Sequence, residues 1–265
     1  MRIDTLDQIG HDYRYIYLSP HLDDAALSCG GTILKQRAAD ERVLVVTLCT
    51  AAPAADAVFS TLAQAYHQVW ELNPAEVVTA RLREDELAME RLGVDHYWTG
   101  LLDAIYRYPK AYHNHDTLFG TPAPDDPLFS TLRQFVSNLR EHMPHATFYA
   151  PLGVGNHVDH QITFQAAIEC AGPNLALYED FPYVTKPEAL ERRTAAIDLR
   201  LHHRTEIIDS TLPSKIAAID SYASQLNELF GSAAAMARAV RDYAKIAGIQ
   251  TSAYTERYWA LSQTP

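Results

Sequence analysis

Two short segments carry the residues able to do chemistry. In the first, Tyr15-Ile16-Tyr17-Leu18 runs apolar and uncharged into Ser19-Pro20-His21-Leu22-Asp23-Asp24. Proline ends a strand because it has no N–H to give to a ladder, and Ala25-Ala26-Leu27 then begins a helix. A His, Asp, Asp cluster is thereby set at the carboxyl edge of a sheet, where open α/β sheets place ligands. His21 and Asp24 stand three apart, so in a first helical turn both side chains can converge on one point, with Asp23 projecting beside them. An imidazole and a carboxylate make a zinc pair, which needs a third protein ligand and an open position for water if it is to catalyse. A candidate lies well over a hundred residues later: the apolar run Ala146 to Leu152 leads into Gly153-Val154-Gly155-Asn156-His157-Val158-Asp159-His160. The two clusters meet only if their strands lie close together. Helix capping is the plain alternative, since Asp-Asp before a helix suits an N-cap, but capping does not ask for histidine.

These residues carry a family resemblance. Pro20-His21-Leu22-Asp23-Asp24, with Leu27 and Gly30-Gly31, resembles the PHxDD signature of the LmbE-like (PIG-L) N-deacetylases, and His157-Val158-Asp159-His160 is similar to their HxDH motif. Order and spacing match over most of the chain. Leu22 and Ala25 depart from the common PHPDDE form. The glutamate missing at 25 is not a ligand in the family pattern, so its loss bears on substrate more than on metal.

The resemblance implies a Rossmann-like, doubly wound, mostly parallel sheet with helices on both faces (the LmbE-like fold). It implies zinc, with iron(II) as an alternative ion, on His21, Asp24 and His160. Asp23 becomes the general base; adjacent residues diverge, so it does not share the metal with Asp24. His157 stabilises the oxyanion or protonates the departing amine; beside it, the residues themselves offer the Asp159 carboxylate to hold the His157 ring, as carboxylates behind active-site histidines do, with a helix cap as the plain alternative. The reaction implied is removal of an acyl group, acetate by family expectation, from a small N-acylated amino sugar or glycoconjugate. Arg83, followed by Glu86-Leu87 and Gly93, resembles a family segment whose arginine binds substrate, and Asp103 resembles an aspartate that binds sugar hydroxyls. The thiol-precursor branch has tyrosine where this chain has Gly155, so that specificity is not carried over. The segment Lys215 to Gln225 resembles a recurring family helix and reads as structural.

Two rivals stand beside this reading. The same metal cluster could cleave another amide or an ester; phosphoester work would favour a basic pocket or a second metal, and neither motif supplies extra ligands. A non-catalytic metal- or nucleotide-binding α/β module would call for GxGxxG after the first strand, where Pro-His-Leu-Asp-Asp stands instead.

Composition narrows the partners. A net charge of −11 argues against nucleic acid and anionic membrane surfaces, which need clustered Lys and Arg. The three cysteines, Cys29, Cys49 and Cys170, form no CxxC pair and sit in apolar segments, which reads as buried thiols in a reducing compartment. Met1 to Gly10 shows neither a basic nor an apolar signal-peptide region, and no apolar run reaches the ~18 residues of a membrane span. The expectation is a cytoplasmic protein without a membrane span, with homo-oligomerisation left open.

The hydrophobic patterning places strands at Tyr13–Ser19, Val43–Leu48, Asp95–Trp98, Thr147–Leu152, Leu175–Tyr178, Thr205–Ile208 and Thr255–Leu261. Helices are expected at Ala25–Ala39, Ser60–Leu72, Pro74–Leu92, Phe129–Glu141, Gln161–Cys170, Pro187–Arg193, Leu212–Phe230 and 232–247, with Asn73-Pro74 breaking the second. Residues 104–128, rich in Tyr, His, Pro and Asp, follow no period and read as an ordered irregular excursion. Tyr106, Tyr108, Tyr112 and His113 there could wall a sugar site, although packing is the favoured reading. Residues 1–265 read as one domain.

Overall fold

The computed structural model describes residues 1–70 and 74–262. Among the described residues the eight strands are β1 (Arg2–Ile3), β2 (Tyr15–Ser19), β3 (Val43–Cys49), β4 (Asp95–Leu101), β5 (Thr147–Pro151), β6 (Leu175–Tyr178), β7 (Leu201–Ile207) and β8 (Thr255–Leu261). They form one sheet in the order β1-β4-β3-β2-β5-β6-β8-β7. Pairing is parallel from β1 through β6, and β8 and β7 add an antiparallel edge. Strands β3 and β4 build outward on one side of β2, and β5 and β6 on the other. The winding therefore reverses between β2 and β5, and a crevice opens at the carboxyl ends of that pair.

The helices are α1 (Asp24–Ala38), α2 (Thr61–Trp70), α3 (Pro74–Leu92), α4 (Ala104–Arg107), α5 (His115–Leu118), α6 (Leu128–His142), α7 (Val158–Cys170), α8 (Ala189–Ala196), α9 (Leu212–Ile219), α10 (Ala223–Phe230) and α11 (Ala233–Ala247). Helices α1, α3 and α9 pack together, as do α6 and α7, and the sheet lies between layers. Every residue of β3 is buried, the pattern of a strand covered on both faces. Gly31 lets α1 come close to Ile208: a Cβ there would stand 2.7 Å from Ile208 Cγ2. Among the described residues no helix is long and apolar enough to cross a membrane.

The patterning and the structure differ in three places. Residues 1–12 read as a polar lead-in, yet Arg2–Ile3 pairs with β4. Residues 71–73 and the expected break at Asn73 lie outside the described residues. The single helix expected over Leu212–Phe230 is two, separated at Asp220–Tyr222. The apolar spacing runs on through the break; the chain turns there so that the buried Tyr222 hydroxyl donates to Asp85 at 2.8 Å. The excursion holds two short helices and a small core of its own, in which Tyr112 and Leu118 pack with Ala63, Ile105 and Val158.

Candidate metal centre and cleft

The turn after β2 is held by Ser19, whose Oγ donates to the His21 carbonyl at 2.8 Å and accepts the Ala25 N–H at 3.1 Å. This delivers Asp24 as the first residue of α1, and its Oδ2 accepts the His21 backbone N–H at 2.7 Å. His160 enters from the first turn of α7, one strand away. His21 Nδ1 and His160 Nε2 are 3.3 Å apart, and Asp24 Oδ2 is 3.4 Å from each. The sheet thus brings together His21, Asp24 and His160.

The remaining ring nitrogens show what faces inward. His160 Nδ1 lies 2.6 Å from Asp180 Oδ1, and His21 Nε2 lies 3.1 Å from Asp159 Oδ2. A carboxylate has no proton to give, so each of these nitrogens donates, leaving bare lone pairs on His21 Nδ1 and His160 Nε2. Three acceptors then face one another with no donor among them, an arrangement that a cation resolves. That arrangement belongs to the neutral His21 ring; with no ion between the acceptors a proton on Nδ1 is the alternative, and although burial works against the charged ring, hydrogen bonds to Asp159 and Asp24 raise its pKa well above the usual imidazole value. The same attraction serves a divalent ion. Two sets of side chains lie close enough to hold a metal, His21 with His157 and His160, and His21 with Asp103, His157 and Asp159; Asp24 Oδ2 stands beside the first.

Asp23 precedes α1 at φ 143°, a region side chains rarely adopt, and its carboxylate makes no capping bond. Capping therefore does not explain it; strain of about 1–3 kcal/mol held in this way is typical of functional sites. Burial raises its pKa to about 7, against the opposing pull of Arg81, whose Nη2 stands 3.6 Å from Asp23 Oδ2. His157 is the N-cap of α7: its Nδ1 accepts the Asp159 N–H at 3.2 Å, so a neutral ring carries its proton on Nε2. Burial, then the neighbouring His21, push its pKa well below the usual value and keep the ring neutral.

The structure re-assigns two expected contacts. The Asp159 carboxylate was expected to hold the His157 ring; it instead accepts from His21 and pairs with Arg107 at 2.6 Å, and the Asp159 backbone N–H meets His157. Arg83 is exposed and outside the cleft, whereas Arg81 lines it. Residues two apart on a helix point ~200° away from each other, so one of the two arginines had to face solvent. Asp103 does line the cleft: its Oδ1 caps α4 through the Ile105 N–H at 3.1 Å, and Oδ2 stands 3.4 Å from His21 Nε2.

Two further residues had no motif to reveal them. Asp180 follows β6, which neighbours β5, and acid at the carboxyl end of an adjacent strand was the one available signal. Tyr183 lines the cleft beside Phe181 and Phe119. Its ring occupies the space above Gly155, where a Cβ would come within 2.6 Å of Tyr183 Cβ and φ is +90°. In the excursion Tyr112 packs inside and donates to Asp126, while Leu118 and the aromatic Phe119 line the cleft.

The family model described as PIG-L, GlcNAc-PI de-N-acetylase, matches residues 16–171. The chain belongs to the PIG-L family. The matched stretch of this PIG-L chain contains both motifs and the excursion between them. It is 30% identical over 222 residues to a 2'-N-acetylparomamine deacetylase of Streptomyces fradiae, covering 81% of this chain and 74% of the relative. A protein of the same name from Niallia circulans is 28% identical over 241 residues, covering 83% of each. The zinc-inhibited form of teicoplanin deacetylase Orf2 superposes with a TM-score of 0.79 at 25% identity, over 95% of this PIG-L chain and 98% of that one.

Proposed function

We propose that this chain is a zinc-dependent N-deacetylase that hydrolyses the N-acyl group of an amino sugar within a larger glycoside. The observation that carries it is the triangle of acceptors on His21, Asp24 and His160, with sides of 3.3–3.4 Å. Ligands ~2.0–2.1 Å from a tetrahedral zinc stand about 3.3–3.4 Å from one another. Zinc bound there supplies a Lewis acid and brings the pKa of a water to about 7.

The chain's own residues do the rest. Asp23, ionised, takes the proton of the attacking water and returns it to the departing nitrogen. The His157 Nε2–H donates to the acyl oxygen as it gains charge, and donors fixed in place before the reaction lose nothing to reorganisation. Arg81 holds Asp23 on the cleft side, and Asp103 stands ready to accept from sugar hydroxyls. The space within the cleft is about 130 Å³, which suits an acyl group with one sugar edge while the rest of the substrate stays outside. The deacetylase names of its relatives support an acylated amino sugar as substrate. Free Cys29 and Cys49, both buried, fit a reducing, cytoplasmic compartment. One hydrophobic core draws on residues from Ile3 to Tyr258, which supports one domain over 1–265.

Purified protein analysed for metal and assayed for carboxylate release from N-acetylated aminoglycosides and glucosaminides tests this. One zinc per chain, lost in His21→Ala and His160→Ala, and stoichiometric acetate are expected. Zinc retained in both variants overturns the ligand assignment, and a loaded protein that releases no acetate from any of these overturns the activity.

A further inference from the structure

The excursion that walls the cleft also reaches the metal centre from behind. Arg107 ends α4 with its side chain only 8% exposed. Its guanidinium holds Asp126 through two parallel bonds, Nε to Oδ1 and Nη2 to Oδ2, each 2.8 Å. Asp126 is itself fixed by the Tyr112 hydroxyl at 2.8 Å and the Leu128 N–H at 2.9 Å. Arg107 Nη2 also donates to Asp159 Oδ1 at 2.6 Å, and Nη1 to the Leu102 carbonyl at 2.6 Å. The other Asp159 oxygen takes the Ala104 N–H at 3.0 Å and His21 Nε2 at 3.1 Å. Asp126, Arg107, Asp159 and His21 thus run end to end into the acceptor triangle.

The two histidines are held by different means. Asp180, behind His160, is anchored by the backbone N–H groups of Gly153 and Val154 at 2.8 and 2.7 Å, within the loop that leads into α7. Asp159, behind His21, depends on a side chain from residues 104–128. A buried carboxylate needs a counter-charge, and a planar fork bonded to both Asp126 and Asp159 fixes its direction as well.

We infer that Arg107, held by Asp126, is a positioning residue for the metal centre: it sets the Asp159 carboxylate that orients His21, so the fold of 104–128 governs how tightly the site holds its ion. This rests on His21, Asp24 and His160 being the ligands. Metal-stripped parent, Arg107→Lys, Asp126→Asn and His160→Ala proteins are titrated with Co2+ in competition with a chromophoric chelator, with visible spectra and thermal melts. Arg107→Lys keeps the charge and loses the fork. It and Asp126→Asn should each weaken Co2+ binding by about 10–100-fold and shift the visible band in protein that is still folded. Arg133→Lys, in an exposed pair with Glu169, should change neither. A purely structural role would lower the melting temperature and leave affinity and band as in the parent; that result in either folded variant overturns the inference. If Arg107→Lys does not fold, Asp126→Asn, which keeps Arg107 and the side-chain shape, decides. Failure of the parent to bind Co2+, or parent-like binding by His160→Ala, overturns the ligand reading itself and is seen before the Arg107 variants are compared.

Discussion

The Asp180 carboxylate lies 2.6 Å from Nδ1 of His160 and so makes that nitrogen the donor. His160 Nε2 is thereby left bare on the side of His21 and Asp24. Carboxylates behind ligand histidines set both tautomer and orientation.

Asp180→Asn changes that tautomer with little change of shape. The amide oxygen can still accept from Gly153 and Val154, but the amide N–H₂ must then face His160 Nδ1. That nitrogen becomes the acceptor, and the proton moves to Nε2, where a metal would bind. We expect zinc affinity to fall by about 10–100-fold with a small change in melting temperature, measured by chelator competition and calorimetry. Parent-like affinity would remove Asp180 from the site.

Arg81 and Arg83 should separate cleanly. Arg81→Ala removes a charge from the cleft wall and from the neighbourhood of Asp23. Loss of the counter-charge that Asp23 faces at 3.6 Å should lower kcat/KM by about tenfold or more, ~1.4 kcal/mol per factor of ten. Arg83→Ala, on the exposed face, should leave kcat/KM within twofold. Steady-state assays of the two variants on one substrate check this.

Turnover should fall on the acid side. As the proposed general base, Asp23 must be ionised to take a proton, and burial has raised its pKa to about 7. Activity should therefore climb with pH up to neutrality. A cation beside Asp23 favours its charged form, which draws the midpoint below that value. In Asp23→Asn metal content should stay at the parent level while turnover falls at least a thousandfold, on the order of what a positioned general base supplies. A pH–rate profile with paired metal analysis tests both statements.

Asp85 makes a prediction about stability. It is fully buried, accepts from Trp98 Nε1 at 2.7 Å and Tyr222 at 2.8 Å, and burial raises its pKa from 3.8 to about 6. Between those values the folded protein binds more protons than the unfolded chain, so this group lowers stability as pH rises through the window. A shift of about two units corresponds to ~3 kcal/mol. Asp85→Asn cannot ionise, so its stability relative to the parent should rise by up to that amount between pH 4 and pH 6. Chemical denaturation of both proteins across that range measures the difference; a constant offset would refute it.

Both motifs and most strand positions could be read along the chain, because strand ends, proline stops and apolar runs are local properties. That His21, Asp24 and His160 sit at strand–helix junctions was legible for the same reason, since their own neighbours specify those junctions. Which side chains lie behind them was not legible. Asp180 reaches His160 only because β6 lies beside β5. Asp159 turns to His21 and Arg107 only because β5 lies beside β2 and the excursion folds over their ends. Arg81 faces the cleft and Arg83 does not because of how α3 is rotated on the sheet, a choice made by packing against α1 and α9. Local propensity decides where elements begin and end; strand order and helix rotation are settled by burial of the whole core, and they alone select the partner of each buried charge.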